Sequence, residues 1–391
     1  MQNQLALPQQ NHHLIQTSNI MENFDFNSVV TDAIKETLKE RGYVNILIAG
    51  RTGVGKSTLI NAVFQGNFAT TGQGRPVTQH TREIKKEGVP LSIFDTRGLE
   101  MADFSKTLEE LRQLVINKSN NSDPKDHIHV AWICIAEDLR RVEPAEEELV
   151  KLLSSYMPVI VVITKARQDK VHDSDGQIKS FRQIVQSQLP LAKNVIRVRA
   201  IQEELDEGHI LPPIGLHDLV KLTMEVAPEG TQRAFIAAQK VDLELKKSKS
   251  RKIVLAAAAV AGGLGASPIP FSDAVAIVPA QILMLARISA TFGLSLDQTF
   301  LGSVVGSFAA GVGGTFVGRA IVSNILKMIP GAGSIIGGTI SATTAAMITT
   351  TLGEIYINVL YSLFANNNGE PPSQEQINVA IKKQLALPHR Q

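Results

Sequence analysis

Hydrophobic and polar positions change their period several times along the chain, and those changes mark its elements. After a Gln- and Asn-rich leader over 1–24, too poor in apolar residues to offset the entropy of ordering, Val30, Ile34 and Leu38 recur at helical spacing up to Gly42. This predicts a short amphipathic helix with Asn27 or Ser28 as its cap. Five apolar runs follow, Tyr43–Ala49, Leu91–Phe94, Val130–Ala136, Val159–Ile163 and Val195–Val198, with helical patterns such as Pro144–Tyr156 between them. Buried strands that alternate with helices predict a mostly parallel α/β sheet. Arg233–Lys252 predicts a connecting helix that ends in a basic cluster of Lys246, Lys247, Lys249, Arg251 and Lys252.

Beyond that cluster the polar half of the pattern disappears. Residues 253–363 carry only Asp273, Arg287, Asp297, Arg319, Lys327 and Glu354 as charged side chains. The uncharged runs Thr299–Gly318 and Met328–Gly353 meet the rough 20-residue length for crossing a bilayer. Within them Gly302 and Gly306, Gly314 and Gly318, and Gly333 and Gly337 have the four-residue spacing that lets helices approach closely. Breaks at Pro268, Pro270, Pro279 and Pro330 and the charges of Arg287 and Arg319 count against full spanning, so integral and peripheral attachment both stay open. Gly265-Ala-Ser-Pro-Ile-Pro and Pro330-Gly-Ala-Gly-Ser-Ile-Ile form a weak echo that hints at two helical hairpins. The expected division is a leader over 1–24, an α/β domain with its preceding helix over 25–230, a basic connecting helix over 231–252, an apolar all-α, glycine-rich domain over 253–365, and a polar tail over 366–391.

Composition narrows the function. The 391 residues carry 39 Lys and Arg against 37 Asp and Glu, a net charge of +2, which excludes a globally basic nucleic-acid coat. No nucleic-acid partner is expected. One cysteine, Cys134, allows neither an internal disulfide nor a cysteine-based zinc cluster. Met1–Glu22 has no Lys, no Arg and no apolar run of signal-peptide length, so the globular part is expected on the cytosolic side. The basic cluster lies where anionic headgroups would attract it.

The strongest chemical signal is Gly50-Arg-Thr-Gly-Val-Gly55-Lys56-Ser57, which satisfies G-x-x-x-x-G-K-[ST] between a hydrophobic strand and the helical pattern that begins at Thr58. Its glycines let backbone N–H groups turn inward around phosphates, and the helix N-terminus adds its positive end. Gly50, Arg51, Thr52, Gly53, Val54, Gly55, Lys56, Ser57 and Thr58 are thus the candidate phosphate cradle. Lys56 is placed to reach the β and γ oxygens, and the Ser57 hydroxyl to ligate Mg²⁺. Asp95-Thr-Arg-Gly98 ends a strand and supplies a carboxylate for a magnesium-bound water, while the Gly98 amide senses a γ-phosphate. Between the two, Thr78 is the preferred loop residue to complete the magnesium shell, with Thr81 as the alternative.

The set Gly50 to Ser57, Thr78, Asp95 to Gly98 and Thr164-Lys165 resembles the G domain of translation-factor-class GTPases, on the Era/TrmE side with its septin and immunity-related relatives. The resemblance covers about residues 40–230, and the segment from Trp132 through Arg141 to Leu149 is similar to septin-like G domains. Ser267-Pro-Ile-Pro-Phe-Ser-Asp-Ala-Val and the Gly-rich sequence after it resemble the apolar C-terminal domain attached to many bacterial Era-like GTPases. A P-loop NTPase fold, GTP and GDP as ligands, Mg²⁺ as cofactor and a low hydrolysis rate carried by Lys56, Thr78 and Gly98 are what the resemblance implies. The family's base-reading motif N-K-x-D appears as Thr164-Lys165-Ala-Arg167. Asp169 is the candidate carboxylate in place of Arg167, and the Ala200 amide is the candidate contact to the guanine oxygen. Leu99 stands where Ras-like enzymes have a water-orienting glutamine. The missing part would come from Glu100, from a partner, or from Arg97, Arg140 or Arg141 across a homodimer or oligomer built through the G domain. The leading expectation is a GTPase on the cytoplasmic face of a membrane that switches lipid association or self-assembly. The alternatives are a ribosome- or RNA-assembly GTPase and a nucleotide-gated scaffold with negligible hydrolysis.

Overall fold

The computed structural model describes residues 25–66, 75–76, 78, 81–96, 104–172, 178–264, 272–309 and 341–386. The chain divides into two compact units, one of Arg41–Leu243 with Asn368–Glu370, the other of Met1–Glu40, Glu244–Asn367 and Pro371–Gln391.

The first unit is built on a seven-stranded sheet. Its elements run β1 (Val44–Ala49), helix α2 (Lys56–Val63), β2 (Arg75–Pro76), β3 (Thr81–Lys85), β4 (Leu91–Thr96), α3 (Phe104–Ser119), β5 (Val130–Ala136), α4 (Pro144–Leu153) and β6 (Val159–Thr164). Then come the small pair β7 (Lys170–His172) and β8 (Ile178–Ser180), α5 (Phe181–Gln188), β9 (Asn194–Arg197), a second small pair β10 (Glu203–Glu204) and β11 (Ile210–Leu211), α6 (Leu216–Val226) and α7 (Glu229–Ala238). Helix α1 (Phe26–Arg41) precedes them in sequence. The sheet order is β2-β3-β4-β1-β5-β6-β9, parallel from β4 to β9, with β3 antiparallel to β4 and β2 antiparallel to β3. Each of the five expected strands is present to within two residues at either end.

The central strands are buried along their whole length, which is why their sequences are continuously apolar. On one face Leu47, Phe94, Ile133 and Val161 pack under Leu111 and Leu114 of α3, Leu149 and Leu153 of α4 and Phe181 of α5. On the other, Trp132 stacks on Phe64 at 5.6 Å between centroids, Phe235 of α7 meets Phe64 edge-on, and Trp132 Nε1 donates to Thr223 Oγ1 of α6. Parallel strands put the loops after β1, β4, β5, β6 and β9 along one sheet edge, where ligands bind in open α/β folds.

The connecting segment departs from the single helix expected over Arg233–Lys252. It is broken into α7 and α8 (Leu243–Leu264), and the second helix continues past Lys252 without interruption. The backbone itself decides the break. Gln239 forms a bridge with Phe64, the Lys240 amide donates to Val63 O and the Gln65 amide to Ala238 O, so the chain here is extended against the end of α2.

The second unit is all-helical: α1, α8, α9 (Ser272–Phe292), α10 (Gln298–Phe308), α11 (Ala342–Asn366) and α12 (Gln374–Ala386). Helix α1 groups with these helices and not with the sheet to which the sequence reading attached it. Arg287 of α9 pairs with Glu36 and Glu40 of α1 at 2.9 and 2.5 Å, and Gln298 Nε2 donates to Thr31 Oγ1. Its N-terminus is capped by Asp25, whose Oδ1 accepts from the Asn27 and Ser28 amides, so the expected cap residues are donors to the cap instead. Residues 374–386 form a packed helix where a polar tail was expected, because Ile377 and Ile381, four apart, bury one stripe. Pro279 lies inside α9 and does not end it.

Among the described glycines, close helix approach occurs at Gly353 and not at Gly302 or Gly306. A Cβ on Gly353 of α11 would lie 2.4 Å from Val254 Cγ2 of α8, whereas Gly302 and Gly306 have open space at that position. Lys246 departs from the basic cluster expected near anionic headgroups. It is fully buried, donates to Phe292 O at 3.0 Å and Thr291 O at 3.4 Å, and lies over the Phe364 ring. Desolvation holds its ammonium well below the usual lysine range. Among the described residues no helix is long and apolar enough to cross a membrane; residues 310–318 and 328–340 of the two uncharged runs lie outside the described residues. The glycine spacings at 314–318 and 333–337 and the echoing segments at 265–270 and 330–336 lie outside the described residues.

Candidate functional site

The phosphate loop leaves β1 at Gly50 and enters α2 at Lys56. Gly50 adopts φ +151° and its α-carbon faces β5 so closely that a Cβ would lie 2.4 Å from the Cys134 carbonyl oxygen. Gly55 turns with φ +95° and is the residue before α2. Between them Val54 is buried, and its carbonyl accepts the Thr164 hydroxyl at 2.6 Å from the end of β6. The Lys56 ammonium arches over the loop and donates to Gly50 O at 2.7 Å and Arg51 O at 3.0 Å. That is a cradle of backbone amides at a helix N-terminus with one cation across it, the arrangement that binds phosphate oxygens.

Asp95, next to last in β4 one strand away, is in register with Ile48 of β1 and is buried. Ser57 is exposed at the start of α2. This oxygen pair fits a magnesium ion, which takes one or two protein oxygens and fills the rest of its shell with phosphate and water. Among the described residues no group of three or more His, Cys, Asp or Glu that could hold a metal ion occurs. Thr78 is placed elsewhere: it lines a groove beside α3 with Lys106, Gln113 and Asn117, and its hydroxyl accepts the Thr81 amide at 3.0 Å. Thr81 itself is buried in β3 opposite Thr96. Arg97, Gly98, Leu99 and Glu100 lie outside the described residues.

Beside the loop opens a cavity of about 610 Å³, lined by Gly55 and Thr58 from α2's start, Asp138 and Arg140 after β5, Lys165 and Arg167 after β6, and Ala200 and Glu203 after β9. Lys165, with φ +54°, lies 3.9 Å from Asp138. Thr164 is buried, and its hydroxyl also approaches Ile135 O at 3.2 Å, so it ties the cavity wall to the phosphate loop. Arg167 forms a two-pronged pair with Glu203, and that bond holds the Glu203 carboxyl below the usual carboxylate range. Asp169 is not part of the lining. Its carboxylate accepts from Ser180 Oγ at 2.6 Å and the Arg182 amide at 3.1 Å, at the start of α5, and lies 3.6 Å from Arg197. Burial raises its pKa, but these donors outweigh burial and hold it low. Arg140 donates to Gln168 O, and Arg141 pairs with Glu143, which also receives Arg51 at 3.5 Å.

Sequence reasoning missed the residue that organises this wall. Glu137, fully buried at the end of β5, accepts from the Arg167 amide at 2.5 Å, the Gln168 amide at 2.8 Å and Arg197 Nε at 2.6 Å. A single carboxylate thus fixes the loop after β6 to the strand β9. The signal was a Glu directly after an apolar strand, which no motif distinguishes from a solvated turn residue. Arg199, seen only as part of Arg197-Val-Arg199, is also buried and donates to Ala166 O and Pro212 O.

A parallel sheet whose first strand feeds a glycine-bounded loop and a lysine-bearing helix defines a P-loop nucleotide-binding domain. Comparison with known families sharpens that class. Residues 45–165 match the family described as 50S ribosome-binding GTPase, and residues 232–387 match a domain of unknown function, DUF697. The chain therefore joins a P-loop GTPase domain, of the kind found in Era and MnmE, to a C-terminal helical domain. It is similar to magnetosome membrane protein 22 of Magnetospirillum gryphiswaldense, with 30% identity over 90 residues, 23% of this chain and 46% of that protein. It is similar to GTPase Era of Glaesserella parasuis, with 30% identity over 177 residues, 42% of this chain and 55% of Era. With the tRNA modification GTPase MnmE of Bordetella parapertussis it shares 26% identity over 152 residues, 36% of this chain and 30% of MnmE. The chain thus spans about half or less of the length of these relatives.

Proposed function

We propose that the protein is a GTPase that binds Mg²⁺·GTP at the phosphate loop, hydrolyses it slowly and couples the bound state to membrane association or self-assembly. The observation that carries this reading is the cradle of Gly50–Lys56 with Asp95 in register beside it and the roughly 610 Å³ cavity along its flank. Lys56 releases its two loop carbonyls to meet the β and γ oxygens. Ser57 would ligate the magnesium and Asp95 would hold a water of its shell, and the ion would supply charge neutralisation to the transferring phosphoryl group. Thr78 is the proposed residue to complete the magnesium shell and the Gly98 amide the proposed sensor of the γ-phosphate. Thr58, Lys165 and Ala200 border the base. Because phosphoryl transfer depends mainly on positioning and charge, Lys56 and its loop amides support a basal rate without a glutamine at Leu99.

Titration of the full-length protein with labelled GTP, GDP and ATP tests the reading. Guanine nucleotides bind and Lys56→Ala abolishes the binding. Equal affinity of wild type and Lys56→Ala would refute it. The membrane output rests on the uncharged C-terminal sequence and on similarity to a magnetosome membrane protein. A second reading, assembly of RNA or ribosomal particles, draws on the matched family's description and on the similarity to MnmE. Salt-sensitive RNA binding by the full chain would favour it, while the near-neutral net charge weighs against it.

A further inference from the structure

The helical unit is sorted by charge along its length. Helices α8 and α11 run antiparallel: Arg251 pairs with Glu354 at 3.1 Å, Val254 packs on Gly353, and Gly262 faces Ala342 and Ala346. From that ion pair onward neither helix has a charged residue, over 253–264 of α8 and 342–353 of α11. On α9, which joins them through Ile277 against Ala261 and Ala345, Asp273 is the one charge before Arg287.

Among the described residues, nothing covers the α8 side of this uncharged end. Along one face of α8 the exposed residues are Arg251 and Lys252, then Leu255, Ala256, Ala259, Val260 and Gly263. Leu255 is 73% exposed, Val260 53% and, on α11, Met347 47%. A helix face that turns from basic to apolar at one level matches the step from headgroups to acyl chains. The length also fits. Lys252 to Leu264 rises roughly 18 Å at 1.5 Å per residue, a little over half of the ~30 Å hydrocarbon core. A second copy of this chain is a poorer occupant, since it would have to bring acids to Lys249 and Lys252. The only acid of α11 is already bound to Arg251.

We infer that this end of the helical unit seats in one leaflet of an anionic bilayer, with Leu255, Val260 and Met347 among the acyl chains and Lys249 and Lys252 at the headgroups. The inference deepens the membrane reading above and rests on it.

Flotation of the full-length protein with phosphatidylcholine vesicles, with and without phosphatidylserine, tests it. Wild type floats with the anionic vesicles. Leu255→Glu with Val260→Glu lowers that binding by about 100-fold or more, as expected when two aliphatic side chains no longer enter lipid. Lys249→Gln with Lys252→Gln lowers it roughly 25-fold on anionic vesicles alone, about fivefold per charge. Unchanged nucleotide affinity and circular dichroism verify that the variants fold. An environment-sensitive dye on Leu255→Cys shifts to the blue on vesicles, and the native Cys134 is buried away from the label. If wild type floats and the double Glu variant floats equally, or the dye does not shift, this inference fails and the membrane reading survives. If wild type stays at the bottom, both fail. Lipid-independent dimerisation that the double Glu variant abolishes would give the face to a second copy and overturn the inference.

Discussion

Glu137→Ala is the sharpest test of how the nucleotide pocket is held. The wild-type carboxylate receives two backbone amides and the Arg197 guanidinium, with the Glu137 side chain 1% and the Arg197 side chain 21% exposed. Hydrogen bonds to a charged acceptor contribute ~1.5 kcal/mol or more each, and removing one partner of a buried ion pair costs ~3–5 kcal/mol. Asp169, 3.6 Å from Arg197, and the residual exposure of Arg197 offset part of this. The expected loss is about 4 kcal/mol. Glu137→Gln keeps an acceptor for the amides but sets a neutral group against the guanidinium, and is expected to cost about 2 kcal/mol. Urea unfolding of the full-length protein, followed by fluorescence, gives the measurement. The single tryptophan, Trp132, is buried on β5 and reports on this unit. A double-mutant cycle with Arg197→Met isolates the pair. A loss below ~1 kcal/mol for Glu137→Ala would refute the claim that this carboxylate anchors the wall.

Three further outcomes follow from the same geometry. Gly50→Ala brings a Cβ to 2.4 Å from the Cys134 carbonyl at φ +151°, so nucleotide affinity is expected to fall at least tenfold, with a stability loss of about 2 kcal/mol; calorimetric titration checks the first and urea unfolding the second. Thr164→Val removes the bond to Val54 O and is expected to cost ~1 kcal/mol and weaken nucleotide binding severalfold, because the loop loses its tie to β6. Burial raises Glu146 from 4.5 to about 7, so the folded state binds the extra proton between those values and stability falls as pH rises through that window. Glu146→Gln, which keeps the acceptor for the Glu143 amide, flattens that slope in unfolding midpoints measured across the window.

The geometry of the glycine-bounded loop was legible because it is local. Eight consecutive residues between a strand and a helix build the cradle, and each acts through its own backbone or a side chain beside it. The lining of the neighbouring cavity was not legible in the same way. Thr164-Lys165-Ala-Arg167 gives the position of the loop, yet which carboxylates border the cavity depends on segments some thirty residues away, Asp138 and Glu203, that only the folded sheet brings together. Asp169 was two positions from the motif and still went to α5, since Ser180 and the Arg182 amide were nearer donors.

By itself the sequence determined the five buried strands of the sheet, the glycine-bounded loop after the first of them and the contrast between a charged half and an uncharged one. These are properties of period, run length and residue type, which neighbours in the chain decide. Tertiary structure alone decided that α1 belongs with the C-terminal helices, that Lys246 leaves the basic cluster for the interior, and that Glu137 pins a loop. Each of these depends on whether a distant backbone carbonyl, ion partner or apolar stripe offers a better environment than water, and that choice is made only when the segments meet.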